Sequence, residues 1–497
     1  MPISRRDLML AGSAALALPS ALRASAPRPF SRDWLIGEAR LRAAAPYRET
    51  PANPNAAKVG YDALNKAQFR PEREIWAEGD YGIRLFPLSG TAPQPIGINL
   101  VENSVARPLT YSPDYFTVVP GHPVEALGAD AGFAGFRVMN AAKDGDWLAF
   151  MGASYFRANG AQNQYGLSAR AIAIDTATGP EEFPRFTDFW LERMDDALAI
   201  HALLDGPSIA GAYSFLCKRA KDGVHQDVRA TLFPRKPIAE MGLMAMSSMF
   251  WYDQAHRAQA IDWRPEVHDS DGLEIVRNNG ERLFRPLINP PKPHDQAWSS
   301  DDMASFGLLQ RDRNFDHYQD DGVFYDRRPS LWVRPGKLPG AGRVRLYEFT
   351  AGNEYADNVA AWWTPDEAVR PGKRIDADYQ LDWRSAPLAA SPLAELVDLR
   401  RGISDAYVAS GGAGAIRLVA DFAGGRIEKL PRGALEGACT VTNGRLIKAA
   451  AYPILSDDGR WRLVLDIAPS GTGETRVAGY LAANGAARSE RFDYPLL

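Results

Sequence analysis

The chain of 497 residues is poor in cysteine and histidine, and each shortage removes a class of chemistry. Only Cys217 and Cys439 are present, far apart in sequence, so neither a disulfide framework nor a Cys-x-x-Cys redox pair is predicted. Both are expected to be buried free thiols. The seven histidines are scattered without ligand spacing, so no transition-metal site is predicted and no cofactor is expected. Lysine and arginine number 57 against 61 acids, with no basic block, which argues against nucleic acid or an anionic membrane surface as partner. No apolar run is long enough to span a bilayer, so no membrane anchor is expected. Missing too are His-Glu-x-x-His, Gly-x-Ser-x-Gly, a Walker loop and a dinucleotide-binding glycine fingerprint.

What the chain does have begins with an export leader. Ser4-Arg5-Arg6 precedes an Ala/Leu-rich run that ends near Leu18. Paired arginines at this place are a receptor-read address of the twin-arginine type, which makes the twin-arginine translocase a partner during export. An ordinary secretory leader that happens to hold two arginines leads to the same compartment, the periplasm. The small-residue site Ala24-Ser25-Ala26 puts the leader at 1–26. The remainder, about 470 residues, exceeds what one hydrophobic core usually supports, so two domains are expected.

The mature chain opens on a helix from Ser31, where Ser31 caps and Trp34, Leu35, Ala39 and Leu41 are predicted to share a face; a shorter helix follows around Tyr61 to Ala67. Beyond them, short alternating segments are separated by Gly, Pro, Asn and Asp clusters. Val228 to Leu232 and Val344 to Leu346 read as half-buried strands. Glu192 to Leu204 fits a helix or a strand pair equally. A composition shift near Trp383 to Pro392 reads as a linker, which places a large domain at 27–388 and a smaller one at 389–497. In the latter, Ile416 to Phe422, Trp461 to Ile467, Thr475 to Leu481 and Glu490 to Leu496 describe a small β-sandwich of immunoglobulin type.

With the familiar catalytic signatures absent, carboxylates and aromatics remain. They concentrate in three segments: Ile261 to Leu273, Leu309 to Trp332 and Glu354 to Pro365. Cleaving a glycosidic bond needs one protonated carboxyl to protonate the leaving oxygen and one carboxylate to take a proton from water or to attack the sugar. The twelve Trp and eighteen Tyr suit stacking on sugar rings, although large β-sandwiches also fill cores with them. Asp-Ser-Asp-Gly at 269–272 and Asp-Asp-Gly at 320–322 are equally ordinary turns. A calcium loop at His268 to Gly272 is disfavoured, because Glu274 falls too early to close it.

These segments resemble the glucan biosynthesis proteins G and D, periplasmic proteins needed for osmoregulated periplasmic glucans. The matching stretches are Phe30-Ser-Arg-Asp-Trp-Leu, Tyr111-Ser-Pro-Asp-Tyr-Phe, Arg264-Pro-Glu-Val-His-Asp-Ser-Asp-Gly-Leu, Gly307-Leu-Leu-Gln-Arg-Asp-Arg, Arg328-Pro-Ser-Leu-Trp-Val and Trp362-Trp363-Thr-Pro. Gln319-Asp-Asp-Gly-Val-Phe-Tyr325 and the leader are similar to the D branch. The resemblance implies an all-β protein, a large galactose-mutarotase-like β-sandwich followed by a smaller immunoglobulin-like β-sandwich. It further implies an endo-acting β-1,2-glucanase that inverts the anomeric centre and controls glucan backbone length. Asp357 in Glu-x-x-Asp-Asn then matches the general acid and Asp269 the general base, with Glu354 and Tyr325 around them and a proton relay between water and base. Burial beside Trp362 and Glu354 is expected to keep Asp357 protonated. His268, Asp271, Trp251, Tyr252, Trp332, Trp362 and Trp363 are the candidate substrate-binding residues, each aromatic having a place in the core as its alternative. A homodimer is implied by the resemblance alone. Because G-branch members share the fold while being weak or inactive as hydrolases, a non-catalytic glucan-binding or assembly factor stays open, as does a β-1,2-glucan transglycosylase.

Overall fold

The computed structural model describes residues 26–79, 81–404, 414–457, 459–471 and 473–496. The leader therefore lies outside the described residues.

Alternation of apolar and polar side chains makes strands, and strands with one apolar face must find a second sheet. Val228, Ala230 and Leu232 are buried along the strand Gly223–Pro234 while Asp227 and Arg229 are exposed. That strand pairs antiparallel with Ile209–Ala220 on one side and Ile375–Arg384 on the other, inside a sixteen-stranded sheet. A nine-stranded sheet lies against it, running from His294–Ser299 through Gly342–Glu348, Val359–Pro365, Met241–Ser248 and Ser168–Ile174 to Gly82–Pro87. Between them the core is zipped by rings from both layers. Phe136 meets Phe189 edge-on at 5.1 Å between centroids, and Phe150 meets Phe215 at 5.4 Å. Each such buried ring contributes about 1.5–3 kcal/mol through area removed from water. The all-β reading of the sequence agrees with this architecture.

The opening helix, Arg32–Ala44, is capped by Ser31, whose hydroxyl accepts from the Trp34 amide at 3.1 Å. It lies on the outer face of the sixteen-stranded sheet through Leu35 and Ala39, against Trp190, Leu203, Ala212 and Phe233. The predicted face is rotated: Leu35, Ala39 and Ala43 follow the i, i+4, i+8 row, whereas Leu41 points to solvent and Trp34 sits at the margin. Trp34 earns its place sideways, edge-on to Trp190 at 5.5 Å. The ambiguous stretch Glu192 to Leu204 is a hairpin of Arg185–Arg193 and Leu198–Asp205, with Trp190 opposite His201.

A second core belongs to the C-terminal part. Glu395–Ile403, Ile416–Ala423, Trp461–Pro469 and Gly444–Pro453 form a four-stranded sheet. Trp461, Leu463, Leu465 and Ile467 point inward from it, as their spacing predicts. They meet Val477, Leu481, Phe492 and Tyr494, from Thr475–Ala483 and Arg491–Leu496. The latter strand pairs in parallel with Arg282–Pro286, so the large sheet runs on into the small sandwich. Phe284, Leu309 and Trp332 of the large sandwich join the same core. Above this seam the half-buried Arg311 donates to the buried Glu490 (2.5 Å) and Glu274 (3.1 Å). Removing one partner of such a buried pair costs about 3–5 kcal/mol. Cys217 is a buried free thiol, as expected; Cys439 is free but only half-buried, on a strand whose face is open.

Candidate active site

Loops from both sheets converge on one place. Glu354 and Asp357 lie on the loop between Gly342–Glu348 and Val359–Pro365, in the nine-stranded sheet. Asp269 lies just before Gly272–Arg277, and Tyr325 just before Ser330–Pro335, both in the sixteen-stranded sheet. Local bonds fix each loop. The buried Asn358 amide accepts from the Phe250 backbone N–H at 2.9 Å and donates to the Phe349 carbonyl at 2.9 Å, which rivets the loop one residue past Asp357. The Asp269 amide donates to the Met249 carbonyl at 2.8 Å. Asp320 accepts from the amides of Gly322 and Val323 (2.9 and 2.8 Å), an Asx turn that holds Phe324 at φ 49°, a backbone region costly for an aromatic residue.

The side chains then form one chain of charge. Asp269, 6% exposed, accepts a hydrogen bond from the Arg328 guanidinium. Arg328 lies 4.1 Å over the Tyr325 ring. The Tyr325 hydroxyl donates to Glu354, and burial followed by that hydrogen bond raises its pKa, so the phenol keeps its proton. Glu354 also accepts from Arg264 at 2.8 Å; that bond, aided by Tyr325, holds its carboxyl below the usual range. Arg264 reaches Asp320 as well, at 2.7 Å.

Asp357 stands apart. Its nearest cation is Arg157, at 3.8 Å, and 47% of its side chain is accessible. Yet protein walls surround it on enough sides that dehydration raises its pKa, with the Asp269 charge adding to the rise and Arg157 and Arg328 opposing it. Accessible surface and dehydration are compatible here, because a carboxyl can meet water on one side while protein covers the others. Burial acts as expected, whereas the repelling charge is that of Asp269, with Glu354 engaged by Arg264 and Tyr325. Two cavities, of about 400 and 440 Å³, are bordered by neither aspartate, and the site opens to solvent at Asp357.

The structure thus brings Asp357, Asp269, Tyr325 and Glu354 together, while the expected substrate-binding residues turn away. His268 is wholly buried between Glu266 (3.0 Å) and Gln310 (3.0 Å); these bonds and the Asp271 charge outweigh burial and lift its pKa to about 9. Asp271 staples the loop by accepting from the amides of Arg311 and Asp312. Tyr252 is buried and donates to the Arg264 carbonyl at 3.0 Å. Trp332 donates to Glu274 at 3.2 Å within the second core, and Trp363 to Ser300 at 2.9 Å within the first. Trp362 is fully buried under the Arg345 guanidinium, and Trp251, 8% exposed, borders the separate 440 Å³ cavity. None of these offers a free ring face to a sugar at the Asp357 site. Beside it, two other aromatics are exposed: Tyr355, between Glu354 and Asp357, at 88%, and Trp263, next to Arg264, at 73%.

A family model described as "Periplasmic glucan biosynthesis protein, MdoG" matches residues 30–496. The chain belongs to this family. Among glucan biosynthesis relatives, "Glucans biosynthesis protein D 1" of Ralstonia nicotianae is 43% identical, over 94% of this chain and 93% of its own length. "Glucans biosynthesis protein D" of Xanthomonas axonopodis pv. citri is 38% identical, over 95% and 91%. Among solved structures, the galactosidase domain of an alpha-galactosidase-sucrose kinase aligns at a TM-score of 0.25 and 9% identity, over 44% of this chain and 30% of that one. In keeping with the periplasmic family name, no helix among the described residues is long and apolar enough to cross a membrane. Arg157, Arg264, Arg328 and Asp320 complete the site without having been singled out from sequence. Arg264 and Arg328 each open a stretch that carries the glucan biosynthesis resemblance, and that is the signal that would have found them.

Proposed function

We propose that this member of the glucan biosynthesis family is an endo-β-1,2-glucanase that cuts linear β-1,2-glucan with inversion and so sets backbone length in osmoregulated periplasmic glucan synthesis. The observation that carries this reading is one pair of aspartates in unlike surroundings at one open site: Asp357, dehydrated and without a close donor, and Asp269, paired with Arg328. One dehydrated carboxyl and one held by a guanidinium are a pair that can divide into an acid and a base. Asp357 delivers its proton to the inter-sugar oxygen as that bond breaks. Water enters from the opposite face of the sugar ring, and Asp269 accepts its proton, with the relay implied by the family resemblance spanning any gap wider than one hydrogen bond. Tyr325 and Glu354, locked by Arg264, hold the floor between them. Trp263 and Tyr355 supply stacking faces for neighbouring sugars, and an open surface admits a chain at any point along its length, as endo cleavage requires. Export by the twin-arginine translocase delivers the enzyme to the periplasm.

The test is proton NMR of the first products from linear β-1,2-glucan. Inversion of a β-linkage places the new reducing end in the α form. Initial appearance of the β form contradicts the proposal, and products that lengthen or cyclise with loss of water point to transglycosylation. The exposed Trp263 and Tyr355 also support a second reading, a glucan-binding or assembly factor that needs no chemistry. Under that reading the purified protein binds the glucan and never shortens it.

A further inference from the structure

Near the seam between the two sandwiches, a cavity of about 400 Å³ is bordered by Glu266, Asp312, His317, Asp271 and Asp398, among others. Glu266, and Asp312 and His317 from one segment some distance along the chain, each place one donor atom within 4.8 Å of the other two. Scattered histidine spacing gave no sign of this, because the three meet only when the segment 310–318 folds back onto the segment 264–271.

Glu266 supplies the observation that points to a ligand. It is 3% exposed; one carboxylate oxygen accepts from His268 at 3.0 Å, and the other, Oε1, is buried without any hydrogen-bond partner. Leaving a buried carboxylate oxygen unsatisfied is costly, and native proteins rarely do so without an ion or water. Asp312 and the His317 Nδ1 are already drawn together, at 2.5 Å. Of the cations on the cavity wall, three are held by other acids, while Arg313 keeps a buried Nε and Nη2 without hydrogen-bond partners. Arg311 is held by Glu490 and Glu274, Arg400 by Asp398 and Asp421, Arg460 by Asp457, and Arg313 donates to the backbone carbonyls of Asp326 and Arg328.

We propose that Glu266, Asp312 and His317 form a binding site for a divalent transition cation of zinc type. Two carboxylate oxygens and one imidazole nitrogen are a donor set suited to zinc, which would retain a fourth position for water. Donors around such an ion sit about 3.4 Å apart, so the side chains need to draw in by roughly 1 Å, within reach of rotamer adjustment. The ion ties the segment leading to Tyr325 and Arg328 to the segment that carries Asp269. Its role is to hold loops, and the inference is independent of the glucanase reading.

The experiment uses the mature chain stripped with chelator and titrated calorimetrically with zinc chloride, with calcium chloride in parallel. The expected result is one zinc ion per chain at micromolar affinity or tighter, a rise in Tm on loading, and at least roughly 100-fold weaker binding in both His317→Ala and Asp312→Asn. These two residues are partly accessible, so their replacement leaves the apo fold intact, as circular dichroism would verify; Glu266→Gln serves as a third variant. No zinc binding by the wild type, binding unchanged in His317→Ala, or calcium bound in preference to zinc would each overturn the proposal.

Discussion

Asp357 and Asp269 are the same side chain in opposite circumstances. Asp269 is 6% exposed and clasped by Arg328, whereas Asp357 is 47% accessible and meets its nearest cation at 3.8 Å. Despite that exposure, dehydration raises the Asp357 pKa, with the Asp269 charge adding to the rise. Accessible area alone therefore does not predict ionisation here; dehydration by the surrounding protein comes first and nearby charges second. The same contrast holds between Asp269 and its neighbour His268. Successive residues point to opposite sides of an extended backbone, so one joins the open site and the other disappears into the interior.

The largest effect that would sharpen this comparison is Asp357→Asn. Loss of the proton donor lowers kcat on β-1,2-glucan by about 10³-fold, within the range of general-acid contributions. Its stability moves the other way. A carboxyl whose folded pKa is raised costs stability as pH climbs past its unfolded value, so at neutral pH the amide is equal to or slightly more stable than the acid, by less than about 1 kcal/mol given its exposure. Thermal melts at pH 4 and pH 7 check the sign: the gain appears at pH 7 and shrinks at pH 4.

Arg328→Ala tests the other member. It leaves the nearly buried Asp269 unpaired, and both stability, by about 3 kcal/mol, and turnover, by about 10–100-fold, fall together. Activity and stability thus separate at Asp357 and move in step at Arg328, which assay and denaturation side by side will show.

Smaller still is Trp263→Ala. Removing an exposed stacking face raises KM by about 3–10-fold, with kcat and Tm unchanged. Trp363→Ala, by contrast, empties part of the core and costs about 3–5 kcal/mol.

The smallest effect is Arg157→Gln. Arg157 lowers the Asp357 pKa, so its removal lets that pKa rise and carries the alkaline limb of the pH–rate profile upward. A limb that moves down, or stays, breaks the assignment of that limb to Asp357.

Strand periodicity was legible wherever one face met solvent: Val228 to Leu232 and Trp461 to Ile467 fall as their alternation predicts. It failed on Val359–Pro365, whose residues Val359 to Thr364 are all buried, because the strand is covered on both faces. There Trp362 and Trp363 stood beside acids in the sequence and were read as sugar platforms, although nothing local records what packs over them. The three acidic segments do converge, but their pairing was written in contacts such as Arg328 to Asp269, 59 residues apart, which no local pattern encodes. The roles of Asp357 and Asp269 were legible only through resemblance. Trp263 and Tyr355 were passed over because exposure, unlike composition, is a property of the fold.

Product analysis on linear β-1,2-glucan, with wild type and Asp357→Asn run in parallel and chain length read by mass spectrometry, tests the central claim most directly. The account predicts progressive shortening with each cut gaining one water, and no shortening in the variant while it still binds the glucan. Equal shortening by both proteins, or none by the wild type across pH 5 to 8, would contradict it.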